Sequence, residues 1–375
     1  MTRRCQRYAI SRKTGYRLVA RYAAHGPEGL AEQSRAPHHQ ALAVTAAVER
    51  AIVELRGAHP RWGPRKLRAR LQRHAPGERW PAASTIGRLL QHHGLTLPRR
   101  PRRRCPPATQ PFGLVQAPND AWSADFKGWF CTQDGARCLP LTVTDNASRF
   151  LLRCQAVRAG DAAHVQPLFE ATFREYGVPH ALRTDNGPPF ASTGAGRLSR
   201  LGVWWIKLGI QRELIAPGHP EQNARHERFH LTLAQETAQP PHATLRAQQQ
   251  RFDRFRQVFN EERPHEALGQ RPPASVYTPS SRVYPARLPE VQYAADYVVR
   301  RVRHNGAIKW QGQAVYVNHC LQGEPVALQE VTEDCWRLWF GPVPLGWLDA
   351  RHPQRGPGAR RRRFSTPKLL PMCPV

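Results

Sequence analysis

The stretch WSADFKGWFC (Trp122–Cys131) begins a change from helical to strand-like patterns along the chain. It is followed by CLPLTVT (Cys138–Thr144) and FLLRCQA (Phe150–Ala156), which are rich in β-branched and aromatic residues. A turn sequence, Asp145–Ser148, separates the last two segments and predicts that they pair antiparallel. An antiparallel opening argues against a Rossmann sheet, and the sequence contains no GxGxxG motif.

The elements after these strands alternate between helix and strand. Asp161 is a suitable N-cap for a helix that runs to Tyr176 and stops at Gly177. We then expect, in order, a strand at 180–185, a helix at 197–208, a strand at 212–216, and helices at 224–238 and 245–260. Three strands followed by this alternation predict an α/β ribonuclease-H-like core with a mixed sheet.

The amino-terminal part is predicted to be helical and basic. The segment Ala9–Gly26 has a capping serine at its start and a glycine at its end, and it resembles the recognition helix of a helix-turn-helix. Its basic residues, the predicted DNA contacts, are Arg12, Lys13, Arg17 and Arg21. A solvated basic helix with no DNA role is the alternative. Only about ten residues precede it, so we expect a helix-turn-helix that is short at its amino terminus.

Further helices and a β-rich segment complete the predicted organisation. Helices at Val44–Arg56, Pro64–His74 and Ser84–His93 fit a second helix-turn-helix. Five short strands after Pro279, with an Asn305-Gly306 turn, predict a small SH3-like β-barrel. We therefore expect a multidomain protein with the following parts: a helix-turn-helix region (1–97), a basic Pro/Arg linker (98–115), the catalytic core (116–280), the barrel (281–350) and a disordered basic tail (351–375).

The charge distribution points to DNA as the partner. Residues 1–104 contain 23 Lys and Arg against 5 Asp and Glu, a net charge of +18 of the +28 total, whereas residues 105–280 have a net charge of only +3. Basic flanks suit the phosphate backbone, and a nearly neutral core suits another task. No apolar run approaches the ~18 residues of a membrane helix, and no secretory signal begins the chain, so we expect a cytoplasmic protein without membrane contact. The eight cysteines form no CxxC, which argues against a structural zinc site.

Three carboxylates stand where a metal ligand would be useful. Asp125 interrupts an apolar, aromatic strand, where a lone charge is costly unless it binds something. Asp185 ends the next buried-looking strand at an Asp-Asn-Gly turn, although that turn alone is also an ordinary structural feature. Glu227 lies one turn into a helix, on a face that continues through His230, Leu231 and Ala234 and that we predict to be buried.

These residues fall within three blocks, WSADFKG (122–128), RTDNGPPF (183–190) and PEQNARHERFH (220–230), followed by NEERPHEAL (260–268). In this order they resemble the signature blocks of insertion-sequence transposases of the retroviral-integrase (DDE) superfamily, over roughly residues 10–350. The resemblance implies two Mg²⁺ or Mn²⁺ ions and double-stranded DNA as substrate, both terminal inverted repeats and target. It also implies a homo-oligomer on DNA. Cleavage at the element's ends would be followed by transfer of the 3′-hydroxyl, with Asp125 and Asp185 as the first two catalytic, metal-binding acids.

The third acid is a choice between two glutamates. Glu221 gives the spacing that the family's shorthand quotes, but it follows Pro220 in a loop. We choose Glu227 because a helix positions a ligand better than a loop does. Ala224 also departs from the glycine that is common before this helix in the family.

Neighbouring residues have more than one interpretation. Lys127, Arg225 and Arg228 flank the acids and are predicted to hold DNA phosphates. For His219, His226 and His230 we prefer surface or phosphate-contacting roles over a zinc site, and we interpret Asp145 as a structural turn residue. An active transposase is the preferred function. The alternatives are a DNA-binding protein derived from a transposase with a decayed or repurposed core, and a ribonuclease-H-type nuclease without strand transfer.

Overall fold

A computed structural model describes residues 2–32, 44–96, 115–216, 222, 224–353 and 356–357. The chain divides into two compact units, Met1–Gly57 and Ala58–Val375, which are described separately. The predicted linker and basic tail lie almost entirely outside the described residues.

The first unit is helical. It contains α1 (Thr2–Arg7), α2 (Arg12–His25), a 3₁₀ turn (Gly26–Leu30) and most of α3 (Ala46–Ala58). Ser11 caps α2 by accepting a hydrogen bond from the Thr14 N–H at 3.1 Å. Gly26 ends α2 with φ of +65°, a conformation that glycine adopts without steric cost. The helix predicted for this region is therefore confirmed.

Two more helices, α4 (Pro64–His74) and α5 (Ala83–His92), begin the second unit. Helix α4 is tied to the segment that follows the last helix of the core. Arg65 and Arg70 form ion pairs with Glu266 and Glu262 at 3.0 and 3.2 Å, and Arg73 donates to the Glu262 carbonyl at 2.9 Å. These contacts attach part of the predicted DNA-binding region directly to the core.

The core is built on a mixed sheet. Its strands are β1 (Ala121–Phe126), β2 (Phe130–Cys131), β3 (Arg137–Asp145), β4 (Leu151–Val157), β5 (Ala181–Thr184) and β6 (Gln211–Leu214). The order across the sheet is β4, β3, β1, β5, β6, with β2 paired to the start of β3. Strand β3 runs antiparallel to β1 and β4, whereas β1, β5 and β6 are parallel. This is the predicted ribonuclease-H-like arrangement.

Helices cover both faces of the sheet. They are α6 (Ala162–Tyr176), α7 (Arg200–Lys207), α8 (Ala224–Thr237) and α9 (Leu245–Gln257), and a π-helical turn (Val258–Glu262) extends α9. On one face, Trp122 packs with Phe173 of α6 and Trp205 of α7. On the other face, Cys154 packs with Leu233 of α8 and Phe252 of α9. Alternate residues of β1 therefore face different helix layers.

The carboxyl-terminal part contains six strands where five were predicted. A four-stranded sheet joins β7 (Val298–Arg301), β10 (Pro325–Thr332), β11 (Cys335–Phe340) and β12 (Val343–Asp349), beside a hairpin of β8 (Ala307–Trp310) and β9 (Gln313–Tyr316). Strand β12 was missed because Pro344 and Gly346 interrupt its pattern. Gly306, with φ of +78°, occupies the predicted turn.

No helix among the described residues combines the length and the apolar character needed to cross a membrane.

Candidate active site

The first predicted acid, Asp125, lies near the end of β1. Trp122 and Ala124 point into the core formed with α6 and α7, so Ser123 and Asp125 point to the opposite face, where α8 packs. The antiparallel ladder places Asp125 opposite Thr142 of β3. A carboxylate is therefore held by two paired strands beneath a helix.

The second acid, Asp185, directly follows β5. The parallel ladder aligns Ser123 with Arg183, and two residues further along each strand come Asp125 and Asp185. Because adjacent strands lie ~4.8 Å apart, the two residues lie on neighbouring strands near the carboxyl edge of the sheet. That their carboxylates share one metal site stays a prediction.

Asp185 is chemically suited to a cation. Burial raises the pKa of its carboxyl, against the effect of a hydrogen bond from the Gly187 N–H. That bond joins Gly187 N to Asp185 Oδ1 at 3.3 Å, which is long. A half-buried carboxylate with weak hydrogen bonding is what a hard metal ion such as Mg²⁺ or Mn²⁺ would stabilise. The residues present at this edge therefore fit such an ion.

Helix α8 lies across the same sheet face, and its buried side differs from our prediction. His226, His230 and Leu233 face the sheet, whereas Glu227 is exposed and Leu231 is 52% exposed. Of the face predicted to be buried, His230 and Ala234 are buried, but the predicted burial of Glu227 and Leu231 is wrong. His226 is buried in their place, because both histidines find hydrogen-bond partners on the sheet.

Both histidine rings contact Thr142. The distances from Thr142 Oγ1 to His226 Nε2 and His230 Nε2 are 2.7 and 2.8 Å. The Thr142 hydroxyl itself donates to the Asp125 carbonyl at 3.2 Å, so each ring must donate its Nε2–H to the hydroxyl oxygen. Burial lowers the pKa of His226 to about 3 and that of His230 to about 2, so both rings are neutral.

This role of the histidines was not predicted from the sequence. His226 and His230 were expected at the surface or on phosphates, but both are buried, and each has a ring nitrogen close to the Asp125 carboxylate. Asp125, His226 and His230 each offer one potential ligand atom within 4.8 Å of the others. The i, i+4 spacing of the histidines on one helix face was the signal that could have identified them.

Around α8 the side chains divide into three flanks. His226 and His230 face the sheet, and His226 also lines a cavity beside Ser123 together with Arg225, Arg228, Phe229 and Thr232. At 3.6 residues per turn, Glu227 follows His230 around the helix on the side away from that cavity. His230 does not line the cavity and lies within electrostatic reach of Lys127, which follows Asp125 by two residues. Glu227 itself is exposed, and its role as the third acid stays a prediction.

Two other predictions about acids have clear outcomes. Asp145 is structural, as expected. Its Oδ2 accepts from the Asn119 N–H at 2.7 Å, and its Oδ1 accepts from the Ser148 N–H at 2.7 Å and the Ser148 hydroxyl at 2.6 Å. Glu221, the rejected third acid, and His219 lie outside the described residues.

The predicted DNA-contacting residues fall in two places. In α2, Arg12, Lys13 and Arg17 are exposed, whereas Arg21 is half-buried and donates to the Ala31 carbonyl within its own unit. In the core, Arg225 and Arg228 are exposed on α8 and line the cavity beside Ser123. Arg21 therefore has an internal partner, while the other cations remain open to solvent.

Family models match three segments of the chain. The model described as "Integrase core domain" matches residues 115–220, and a second model with the same description matches residues 208–273. A model described as "Homeodomain-like domain" matches residues 14–90. The integrase matches cover Asp125, Asp185 and helix α8.

Curated relatives come from bacterial insertion elements. The chain is 32% identical over 222 residues to an uncharacterized 31.7 kDa protein of insertion element IS407 from Burkholderia multivorans, covering 58% of this chain and 76% of the relative. It is 31% identical to an uncharacterized 39.2 kDa protein of IS476 from Xanthomonas euvesicatoria, covering 61% and 64%. It is 28% identical to the transposase InsD of IS2 from Escherichia coli, covering 58% and 73%. The chain thus spans just under two thirds of the Xanthomonas relative.

Among solved structures, viral integrases resemble the chain. The simian T-cell lymphotropic virus intasome, in complex with a PP2A regulatory subunit, matches with 15% identity and a TM-score of 0.38 over 78% of this chain and 97% of that one. The HTLV-2 integrase catalytic core domain in complex with magnesium matches with 14% identity and a TM-score of 0.33 over 43% and 97%.

Proposed function

This chain belongs to the insertion-sequence transposases of the DDE superfamily, and from that premise we propose that it cuts DNA at the ends of its element and transfers the resulting 3′-hydroxyl to target DNA. The observation that supports the proposal is the register of β1 and β5, which places Asp125 and Asp185 on neighbouring strands near one edge of the sheet. Helix α8 packs on the same face, and we infer that its exposed Glu227 is the third acid.

The role proposed for each residue follows from the chemistry of its side chain. Asp125, Asp185 and Glu227 would hold two Mg²⁺ or Mn²⁺ ions, which when bound supply charge neutralisation and an activated oxygen for phosphodiester chemistry. Thr142, His226 and His230 position α8 against the sheet through neutral hydrogen bonds. Lys127, Arg225 and Arg228 would hold phosphates of the DNA strand beside the acids.

The flanking parts are proposed to bind and arrange DNA. The helix-turn-helix region would bind the terminal inverted repeats, with Arg12, Lys13 and Arg17 of α2 as contacts. The carboxyl-terminal strands would form the small SH3-like barrel and contact target DNA. Two element ends must be brought together for joining, so we propose that the protein acts as a homo-oligomer on DNA, in the cytoplasm.

Incubating the full chain with Mg²⁺ and DNA that carries the element's own ends tests the function. We expect joined products in which an element 3′ end is linked to target DNA. Nicked DNA without joined products would instead indicate a nuclease. A bound but intact duplex would indicate a DNA-binding protein with a repurposed core, and either result would reject the proposal.

Cleavage should depend on a hard divalent cation. Oxygen ligands select Mg²⁺ or Mn²⁺, while Ca²⁺ accepts looser geometry and should support binding without cleavage. We expect product with Mg²⁺ or Mn²⁺ and none with Ca²⁺ or EDTA, measured on labelled end DNA. DNA binding retained in EDTA is the control for folding, and robust cleavage in EDTA would contradict a metal-dependent mechanism.

The basic residues of α2 should set part of the salt dependence of DNA binding. Replacing Arg12, Lys13 and Arg17 with Gln should reduce the slope of log affinity against log salt by about 0.9 for each DNA phosphate that the variant no longer neutralises. The measurement is fluorescence anisotropy on end DNA at several salt concentrations. A matched triple replacement of the exposed core residues Arg158, Arg246 and Arg254 is the control. An unchanged slope in the α2 variant would favour a solvated helix with no DNA role.

A further inference from the structure

A cavity of about 290 Å³ lies on the α8 side of the sheet, next to Ser123 rather than at the edge occupied by Asp125 and Asp185. Its walls come from β1 and β3, α8, α4 and the segment after α9. We call it the basic cavity and define it by Lys66, Asn146, Arg149, Arg225, Arg228 and Phe229. Arg225 and Arg228, proposed above to hold DNA phosphates beside the acids, line this cavity, but none of the three predicted metal-binding acids does.

The basic cavity carries a surplus of positive charge. Two lining arginines are neutralised, since Arg183 pairs with Glu213 at 2.8 Å and Arg263 pairs with Glu236 at 2.7 Å. The one lining carboxylate among the described residues, Asp145, already accepts the three hydrogen bonds described above. Lys66, Arg149, Arg225 and Arg228 form no ion pair with another described residue.

These cations are costly to hold together without an anion. Burial, and next the charge of Arg263, lower the pKa of Lys66 to about 8, against the charges of Glu236 and Glu266. Burial, and next the charge of Arg225, lower the pKa of Arg149. An anion bound among them would remove the repulsion between the like charges.

Neutral groups in the wall indicate what kind of anion fits. Asn146 is only 8% exposed, and its Oδ1 accepts from the Ser123 hydroxyl at 2.9 Å. Its Nδ2 has no hydrogen-bond partner among the described residues although it is buried, which leaves a donor without an acceptor. Phe229 and Phe259 supply an apolar, aromatic part of the wall. A ligand with a phosphate, a hydrogen-bonding edge and a flat ring would satisfy all of these groups.

We propose that the basic cavity binds one phosphate-bearing nucleotide of a DNA strand that is displaced from its duplex. The phosphate would lie among Lys66, Arg149 and Arg225, and the base would lie against Phe229 with Asn146 donating to its edge. The volume is at the lower end of the ~300–1,000 Å³ of small-molecule sites, which admits a single nucleotide and excludes a duplex. The inference rests on the proposed function only for the source of the nucleotide.

The first test measures the binding of free ligands by isothermal titration calorimetry with the full chain in EDTA. The probes are dAMP, inorganic phosphate and deoxyadenosine. We expect dAMP to bind more tightly than phosphate, because of the aromatic wall, and deoxyadenosine to bind least, because it has no charge. Equal affinities for dAMP and phosphate would overturn the nucleotide assignment, and no binding of either would overturn the site.

Two variants and one control locate the binding. Arg225→Ala removes an exposed cation from the cavity, and Asn146→Asp replaces the unpartnered donor by a negative charge while keeping the side-chain shape. Each should weaken dAMP binding by about 10-fold or more, the usual effect of losing a charge-assisted hydrogen bond. Arg246→Ala, which removes an exposed charge from α9 outside the cavity, should bind dAMP like the wild type. Unchanged affinity in both cavity variants would overturn the proposal.

The nucleotide-binding proposal for the basic cavity and the proposed transposase function can each be refuted without refuting the other. Binding of dAMP is measured in EDTA and requires no cleavage. A protein that joins DNA ends but does not bind dAMP would refute the cavity proposal alone. A protein that binds dAMP in the cavity but yields no joined DNA would refute the transposase function alone. Competition between dAMP and either a single-stranded or a duplex oligonucleotide then identifies the source, and we expect only the single strand to compete.

Discussion

Glu227→Gln should abolish cleavage and joining while DNA binding is retained. Glu227 lies in the first turn of α8, one residue after His226, whose ring lies close to the Asp125 carboxylate. Gln keeps the size of the side chain and removes the charge that a metal ion requires. We expect both reactions to fall by at least ~10²–10³-fold, the loss typical of one preorganised charge-stabilising group.

The matched comparison is Glu221→Gln, which makes the same chemical change six residues earlier. We expect that variant to cut and join at nearly the wild-type rate. Both variants are assayed on one labelled end DNA with Mg²⁺, and binding is measured in parallel with Ca²⁺. The reverse pattern, a silent Glu227→Gln and an inactive Glu221→Gln, would show that the third acid lies in the loop. Asp125→Asn and Asp185→Asn serve as inactive references.

Acid should destabilise the metal-free protein because two histidines are buried in neutral form. An unfolded histidine has a pKa of about 6.5, whereas burial lowers the folded pKa of His226 to about 3 and of His230 to about 2. Below pH 6.5 the unfolded chain therefore binds protons that the folded chain does not. The free energy of unfolding should fall by ~1.4 kcal/mol per pH unit for each histidine, or about 2 kcal/mol each by pH 5.

Urea unfolding in EDTA between pH 7.5 and pH 5 measures this effect. His230→Gln retains a donor for Thr142 but cannot titrate. The free energy of unfolding of this variant should therefore fall less steeply as the pH is lowered, by about the contribution of one histidine. His74→Gln, at an exposed position, should leave the dependence unchanged. Burial raises the pKa of Asp145 and Asp185, so these carboxyls stabilise the folded protein as the pH falls. The free energy of unfolding should therefore fall by less than the two histidines alone would cause. An equal slope in wild type and His230→Gln would contradict the buried, neutral ring.

Local sequence patterns predicted most of the elements, because caps, turns and periodicity act over a few residues. Ser11 and Gly26 delimit α2 as expected, and Asp161 caps α6 by accepting from the His164 N–H at 3.0 Å. Strands β1, β3 and β4 begin or end close to their predicted bounds. Asp125 and Asp185 were chosen because each lies where a charge needs a partner, and the β1–β5 register places them on neighbouring strands.

What only the tertiary structure decided was the orientation of α8 and the surroundings of the acids. An apolar pattern selects Leu231 for the core, but burial depends on what the opposite surface offers. Thr142 of β3 offers a hydroxyl that two histidines can share, so His226 and His230 are buried and Leu231 is exposed. The basic cavity likewise joins Lys66 of α4 to Asn146 and Arg225, which are far apart in sequence. Packing between distant segments determines such contacts. The i, i+4 spacing of the two histidines shows only that they share a helix face, not which surface that face meets.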